Sequence, residues 1–179
     1  MAGSFEAYTP GGLLTATPVD HGRLADLLAQ LDEIAVTEAI LNPLGGGPAP
    51  AAPGTIGVDD LLVVIAPPET VTPVHSSWHP IELEIGPYAV VGELPAQPGF
   101  DPKRALARPS GPFVLLARVT VSGRDVGLVP APVQYGYAWV NRYAVESVTC
   151  DIELGVFFPG SRVTTQNGGQ GTAGQSGFG

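Results

Sequence analysis

The sequence predicts a mainly β protein made of two tandem small barrel-like units, each with one short helix. The 179 residues include 24 Gly and 19 Pro, a level that favours short elements joined by many turns. Several segments alternate apolar with polar residues, which is typical of half-buried strands. The two halves of the chain also present similar elements in the same order, and this indicates an approximate internal repeat.

The first repeat unit is predicted over residues 1–66. Leucines recur at helical spacing between about residues 23 and 31, so a short helix is expected there. Residues 42–54 are too rich in Gly and Pro for regular structure and are expected to form a loop. Strands are predicted at residues 13–18, 34–41 and 58–66, the last of them opening with an acidic turn at Asp59 and Asp60.

The second unit is predicted over residues 79–159, after a proline-rich linker at residues 67–78. Its clearest signal is the alternation of apolar and acidic residues from Ile81 to Ile85. The Gly-rich segment 160–179 has almost nothing to bury and is predicted to be a disordered tail. The elements expected in this unit are strands at 79–85, 88–94 and 112–121, a helical turn at 100–107, a hairpin over 135–150 that turns at Asn141-Arg142, and a final strand at 151–159.

The proposed repeat is an alignment of element order, with low sequence identity. It places Pro18 opposite Pro95 in one pair of strands and Val58 opposite Val140 in another. Each unit would hold about five short strands, and a sheet that closes on itself removes the exposed edges of such strands. Units of this size bury little surface alone, so we expect the two units to share an interface.

Four segments of the second unit carry a resemblance to known proteins: Val91-Gly92, Arg104–Leu106, Phe113–Leu116 and Val140–Val148. Together they resemble small β-barrel-type domains of actinobacterial and related bacterial proteins of unknown function. The excess of Arg over Lys and the loops rich in Ala, Gly and Pro also indicate a bacterial genome of high GC content. The resemblance implies a small barrel and supplies no reaction, cofactor or catalytic residue.

The charge of the chain argues against two classes of partner. The formal net charge is −9, so nucleic-acid backbones and anionic membranes are expected to repel the protein. The acidity is concentrated in residues 1–70, which hold nine acidic residues and only Arg23. Charge alone therefore favours a basic partner.

The compartment is predicted from what the sequence lacks. A single cysteine, Cys150, excludes an internal disulfide framework. The first twelve residues show neither the basic nor the apolar region of a signal peptide. No apolar run approaches the length of a membrane span. We therefore expect a cytoplasmic protein.

The candidate reactive residues do not form a convincing catalytic or metal-binding pattern. His75 and His79 are flanked by prolines that exclude a helix, and on a strand their side chains would lie about 13 Å apart. Ser76 and Ser77 lack the turn that presents a nucleophilic serine. Cys150 ends an apolar strand, where a lone cysteine is expected to be buried. An enzyme that uses these histidines or Cys150 is the least favoured hypothesis, and neither a metal nor a cofactor is predicted.

An aromatic ribbon within residues 135–143 is the strongest candidate for an interaction site. Tyr135, Tyr137 and Trp139 share one face of the predicted strand, and Arg142 follows them. This face could be core, subunit interface or ligand wall. The leading hypothesis is a non-enzymatic structural or protein-interaction module that binds a protein partner or forms a homo-oligomer. The alternative is a small-ligand-binding protein with its pocket between the two units, beside this ribbon.

Overall fold

The computed structural model describes residues 3–51, 53–67, 70, 76–99, 101, 111–125, 131–154 and 157–166. In this part of the chain, eleven strands form one sheet, accompanied by one α-helix and a single 3-10 turn. The mainly β class is therefore confirmed. The predicted helical turn at 100–107 lies outside the described residues except for Asp101, as do most of the linker and the tail beyond residue 166.

The N-terminal half contains five strands and the helix. Its elements are β1 Phe5–Thr9, β2 Gly12–Pro18, α1 Leu24–Gln30, β3 Glu33–Pro43, β4 Thr55–Gly57, the 3-10 turn Val58–Asp60 and β5 Val63–Ile65. The strands expected at 13–18 and 34–41 and the helix are confirmed. Strand β1 was not predicted. The acidic turn before the last strand is the 3-10 turn, which Leu61 closes by donating its N–H to the Val58 carbonyl at 3.1 Å.

The C-terminal half contains six strands in its described part. They are β6 Ser77–Ile85, β7 Tyr88–Ala96, β8 Phe113–Gly123, β9 Val133–Asn141, β10 Val145–Cys150 and β11 Arg162–Thr165. Strands β6 and β7, which confirm the two strands expected at 79–85 and 88–94, form an antiparallel hairpin with Ile81 opposite Gly92 and Ile85 opposite Tyr88. The apolar members of the pattern, Ile81, Leu83 and Ile85, are all buried.

All strands join one open sheet in the order β11-β10-β6-β7-β8-β9-β5-β1-β2-β3-β4. Only the β10–β11 pair is parallel. The sheet does not close into a barrel, so the predicted closure of each unit is wrong. The reason lies in β9, which pairs with β8 on one edge and with β5 of the other half on its second edge. The sheet therefore continues across the two halves.

Two further predictions in the C-terminal half are wrong. The turn after Asn141 exists, but β9 and β10 do not form a hairpin, because β10 pairs instead with β6 and β11. Of the expected final strand at 151–159, the described residues 151–154 and 157–159 form no strand, and Phe157 and Phe158 are buried side by side in the core. The last strand is β11, which lies within the segment predicted to be disordered.

Strands β5 and β9 contribute to two separate cores. The first core collects inner residues of β6 to β10 and the two phenylalanines, and it also contains Val63 and Val140. The second core lies in the N-terminal half, where Val64 is buried and Trp139 packs against the cluster. Because successive strand residues point to opposite faces, one short strand pair forms the wall between the two cores.

Each half contains a bulge with an unusual backbone conformation. Glu38 in β3 has φ 52° and Arg118 in β8 has φ 49°, in the left-handed region that non-glycine residues rarely occupy. The pairing of β2 with β3 shifts register opposite Ala16, and the pairing of β7 with β8 shifts opposite Gly92. Such bulges bend a strand and increase its twist.

Replacement of Glu38 tests the bulge. The left-handed conformation costs a residue with a Cβ about 1 kcal/mol, and glycine avoids this cost. We expect Glu38→Gly to have a free energy of unfolding about 1 kcal/mol higher than Glu38→Ala, which removes the same side chain beyond Cβ but keeps the cost. Urea unfolding of both variants measures the difference. Equal stabilities would contradict the positive φ.

Candidate functional site

The joint between the two halves is an antiparallel pairing of β5 with β9. Val63 lies opposite Val140, Val64 opposite Trp139 and Ile65 opposite Ala138. The valines Val63, Val64 and Val140 are 0% exposed. The Asn141 N–H donates to the Leu62 carbonyl at 2.9 Å, and the Ala66 N–H donates to the Tyr137 carbonyl at 3.2 Å. Backbone bonds and buried apolar side chains thus hold the halves together.

A second group of bonds closes the end of this joint. The side-chain amide of Asn141 donates to the Leu61 carbonyl at 3.3 Å, and its oxygen accepts the N–H of Tyr143 at 3.1 Å. Asn141 is 2% exposed, so its polar groups are satisfied by protein partners rather than by bulk water. The residue expected to turn a hairpin instead ties the turn after β9 to the N-terminal half.

An apolar groove of about 180 Å³ lies beside the joint. One wall is helix α1 of the N-terminal half, and the other is formed by the start of β8 and by Trp139 of β9. Within the part of the chain that the structure describes, no lining residue carries an ionisable side chain, and the Trp139 indole is the only polar side-chain group of the lining. The lining residues are Ala25, Leu28, Ala29, Gly111, Pro112, Phe113 and Trp139.

The three aromatic residues of the predicted ribbon lie in three different environments. Trp139 lines the groove, Tyr135 enters a tyrosine cluster, and Tyr137 is half-buried on the same face of β9. The opposite face, through Ala138 and Val140, points into the first core. The aromatic face is thus partly covered, and only Trp139 contributes to the groove.

Arg142 occupies an interior position. It is 2% exposed, its Nε–H donates to the Phe157 carbonyl at 3.0 Å, and its guanidinium lies 4.8 Å from the centre of the Phe157 ring. Desolvation by burial lowers the pKa of this guanidinium. These contacts fix the segment after β10 against the turn after β9. Arg142 therefore packs inside the fold and is not among the groove-lining residues.

A cluster of three tyrosines was not predicted from the sequence. The hydroxyls of Tyr8 and Tyr135 are 2.8 Å apart, and the Tyr88 hydroxyl donates to the Thr9 carbonyl at 2.8 Å. The rings of Tyr8 and Tyr88 meet edge to face at 5.0 Å. Tyr8 comes from the N-terminal half and the other two from the C-terminal half, so this cluster is a second bridge between the halves.

Burial changes the acidity of these phenols. Desolvation raises the pKa of Tyr88 to about 12, because the phenolate would lie in an apolar environment. Desolvation and then the hydrogen bond with Tyr135 raise the pKa of Tyr8 still further. Desolvation also raises the pKa of Tyr135. The cluster therefore stays protonated and cannot supply a general base near neutral pH.

Ser77, His79 and Asp151 form a hydrogen-bonded chain that superficially resembles a catalytic triad. Ser77 Oγ is 3.3 Å from His79 Nε2, and His79 Nδ1 is 3.1 Å from Asp151 Oδ1. However, Ser77 Oγ also donates to the Ala96 carbonyl at 3.1 Å. Activation of a serine nucleophile requires that its hydroxyl donate its hydrogen to the histidine. A hydroxyl has one hydrogen, and the Ser77 hydroxyl donates it to the Ala96 carbonyl and not to His79. The arrangement links the start of β6 to Ala96 of β7 and to Asp151, and it leaves the Ser77 hydrogen directed at the Ala96 carbonyl.

The other candidate reactive residues are separated or lie outside the described part. His75 is not among the described residues, so the predicted pair with His79 is not tested. Cys150 is buried, and desolvation raises the pKa of its thiol. Among the described residues, no three His, Cys, Asp or Glu side chains are placed to share a metal ion. In the same part of the chain, no helix is long and apolar enough to cross a membrane.

Comparisons of the chain with protein families, with curated proteins and with solved structures gave no match.

The pH dependence of stability tests the tyrosine cluster. Below about pH 10 both the folded and the unfolded states keep the Tyr88 proton, and the contribution to stability is complete. From about pH 10 to 12 the unfolded state ionises first, so the free energy of unfolding falls by about 1.4 kcal/mol per pH unit for this residue. Urea unfolding at about pH 9, 10 and 11 measures this slope.

The matched controls are two Tyr→Phe variants. Tyr88→Phe should lose the part of the slope that Tyr88 contributes, whereas Phe at the exposed Tyr143 should leave the slope unchanged. Equal slopes in the two variants would show that Tyr88 ionises as readily in the folded state as in the unfolded state.

Proposed function

We propose that the chain is a tandem repeat of two five-stranded units, although the sheet they form is open. The strand order supports this proposal: β5-β1-β2-β3-β4 in the N-terminal half has the same sequence of elements as β10-β6-β7-β8-β9 in the C-terminal half. Strands β3 and β8, which take equivalent places, are both 11 residues long. Unrelated halves would have no reason to share both the strand order and these lengths.

The two bulges support the same repeat and refine its alignment. Glu38 and Arg118 occupy equivalent positions in β3 and β8, opposite Ala16 and Gly92. This pairing places Pro18 opposite Leu94, one residue from the alignment expected from the sequence. A shift of one residue exchanges the two faces of a strand. The buried faces of β2 and β7 therefore correspond only when the two bulges are aligned.

We propose further that the protein is a non-enzymatic protein-interaction module whose binding site is the groove between α1 and β9. The observation that carries this proposal is a groove at the joint of the two halves in which none of the described lining residues has an ionisable side chain. Catalysis and tight binding of a polar ligand both need convergent polar groups. An apolar groove with an aromatic wall fits an apolar side chain of a partner protein.

The charge around the groove favours a basic partner segment. Asp26 lies on the exposed side of α1, and Asp32 and Glu33 follow the helix, all three exposed. Arg23, just before the helix, is the only basic residue in this half. We therefore propose that the occupant is a peptide segment with an aromatic residue or leucine beside Lys or Arg, because these charges complement the exposed acidic residues of α1 and of the segment that follows it.

The alternative function, binding of a small ligand, is favoured by one observation. Trp139 belongs to the ribbon expected to form a ligand wall, and it does line a groove between the two halves. Among the described lining residues, the indole N–H is the only side-chain group that could orient a polar ligand. A small apolar molecule is therefore the ligand class that this alternative predicts.

The bacterial source, the cytoplasmic location and the resemblance to actinobacterial barrel-type domains stay predictions.

A groove-filling variant tests the interaction site. Ala29→Phe adds a ring to the groove wall, whereas Gln30→Phe adds the same ring to the next exposed position of α1. Random peptides displayed on phage are selected on the full chain, and binding of the enriched peptides is measured by Trp139 fluorescence in a Trp78→Phe background. We expect Ala29→Phe to weaken binding about tenfold or more, with Gln30→Phe unchanged, because the filled groove excludes the anchor side chain.

The outcomes separate the two functions. Enriched peptides that carry an apolar anchor beside basic residues and bind Gln30→Phe but not Ala29→Phe support the interaction module. Failure to enrich peptides, together with saturable quenching of Trp139 by indole that Ala29→Phe abolishes, supports the small-ligand alternative. Peptides that bind both variants equally would overturn the groove as the site.

A further inference from the structure

The joint between β5 and β9 has a counterpart at the two ends of the sheet. In the proposed repeat, β4 is the equivalent of β9, and β10 is the equivalent of β5. Strand β4 forms one end of the sheet, and β10 would form the other end if β11 were absent. The two ends of the sheet therefore correspond to the β9 edge and the β5 edge that pair with each other at the joint.

The outer edge of β4 presents the backbone groups that this pairing needs. Val58 donates its N–H to the Asp32 carbonyl at 2.8 Å, and Val36 donates to the Gly54 carbonyl at 3.0 Å. With Ile56 opposite Ile34, this spacing directs the Ile56 N–H toward β3 and the N–H groups of Thr55 and Gly57 outward. Gly57 thus takes the place that Asn141 has in β9.

The outer edge of β10 is covered by β11, a strand of four residues. The pairing is parallel, the slightly weaker arrangement, and Gln166 continues it by donating its N–H to the Cys150 carbonyl at 2.9 Å. All four residues of β11 are exposed, so their side chains contribute little apolar burial. In contrast, β5 covers the β9 edge with Val63 and Val64, both 0% exposed.

We propose that two copies of this chain join head to tail, with the β4 edge of one copy paired antiparallel with the β10 edge of the next, and that β11 is a removable cap on that edge. This inference rests on the repeat proposed above and uses a different surface from the groove. The internal joint sets the register: Ile56 lies opposite Ser147, Thr55 opposite Val148 and Gly54 opposite Thr149.

The charge distribution is consistent with this contact. Residues 1–70 hold nine acidic residues and one basic residue, whereas residues 71–179 hold eight acidic and seven basic residues. A head-to-tail contact places the strongly acidic end of one copy against the nearly neutral half of the next, whereas a head-to-head contact would place two acidic ends together. Since the contact joins different surfaces, it can extend to a ring or a filament.

A proline in β11 of the full chain tests the cap. Gln166 directs its N–H to β10, and because backbone groups alternate along a strand, Thr164 does so too while Val163 does not. Thr164→Pro removes a bond to β10, and Val163→Pro places the same residue on the outward side. We expect sedimentation velocity to show concentration-dependent dimers and larger species for Thr164→Pro, with wild type and Val163→Pro mainly monomeric.

A cysteine pair tests the register. Gly54→Cys and Thr149→Cys are placed on separate copies, each in the Thr164→Pro background, and the copies are mixed under mild oxidation. Gly54 and Thr149 would form a non-hydrogen-bonded pair, the closest kind in an antiparallel ladder. A Gly45→Cys copy mixed with the same Thr149→Cys copy is the control, because Gly45 has open space around it as Gly54 does.

Disulfide-linked dimers from the Gly54→Cys mixture, and far fewer from the Gly45→Cys control, support the proposal. In the wild-type background the same cross-link should form about tenfold more slowly, because β11 must leave first with its full set of bonds. This comparison keeps the test valid if Thr164→Pro folds poorly.

Monomeric Thr164→Pro without a cross-link in either background would overturn the proposal, as would dimers that do not cross-link. Peptide binding in the groove is measured independently on the same variants. If no peptide binds in the groove, the proposed interaction site is wrong, and the head-to-tail contact is not affected by that result.

Discussion

The pairing of β5 with β9 is the contact on which the rest of the structure depends. It uses both edges of β9, so the sheet continues from one half to the other and no barrel can close. It also separates two cores, since Val63 and Val140 point into one and Val64 and Trp139 toward the other. The groove beside helix α1 exists because this pairing brings the N-terminal helix against the aromatic face of β9.

Much of the local structure could be predicted because it follows from local patterns. The alternation from Ile81 to Ile85 predicted β6, and the leucines of α1 predicted the helix with nearly correct ends. Strand β1 was missed because Ala7 and Tyr8 are both buried, each in a different core, so the alternation typical of a half-buried strand is lost. Glu6 is the one exposed residue of β1, and a single polar position is too short a signal to reveal a strand.

What could not be predicted depends on contacts distant in sequence. The turn after Asn141 was recognised, but whether β9 then pairs with β10 or with β5 is decided by residues about eighty positions earlier. For the same reason Trp139 was recognised as a candidate, while its neighbours Ala25 and Ala29 were not. Two alanines on a short helix line a groove only when another half of the chain lies opposite them. The buried position of Arg142 likewise depends on Phe157.

The placement of β5 has a consequence for synthesis on the ribosome. Strand β5 ends at Ile65, and its partner β9 begins only at Val133, so the N-terminal half emerges long before the strand that covers its edge. During that interval Val63 has no core to enter, because its cluster is built almost entirely from later residues. The nascent chain therefore carries an uncovered apolar edge that a chaperone can recognise, and the first half completes its fold only when the second half arrives.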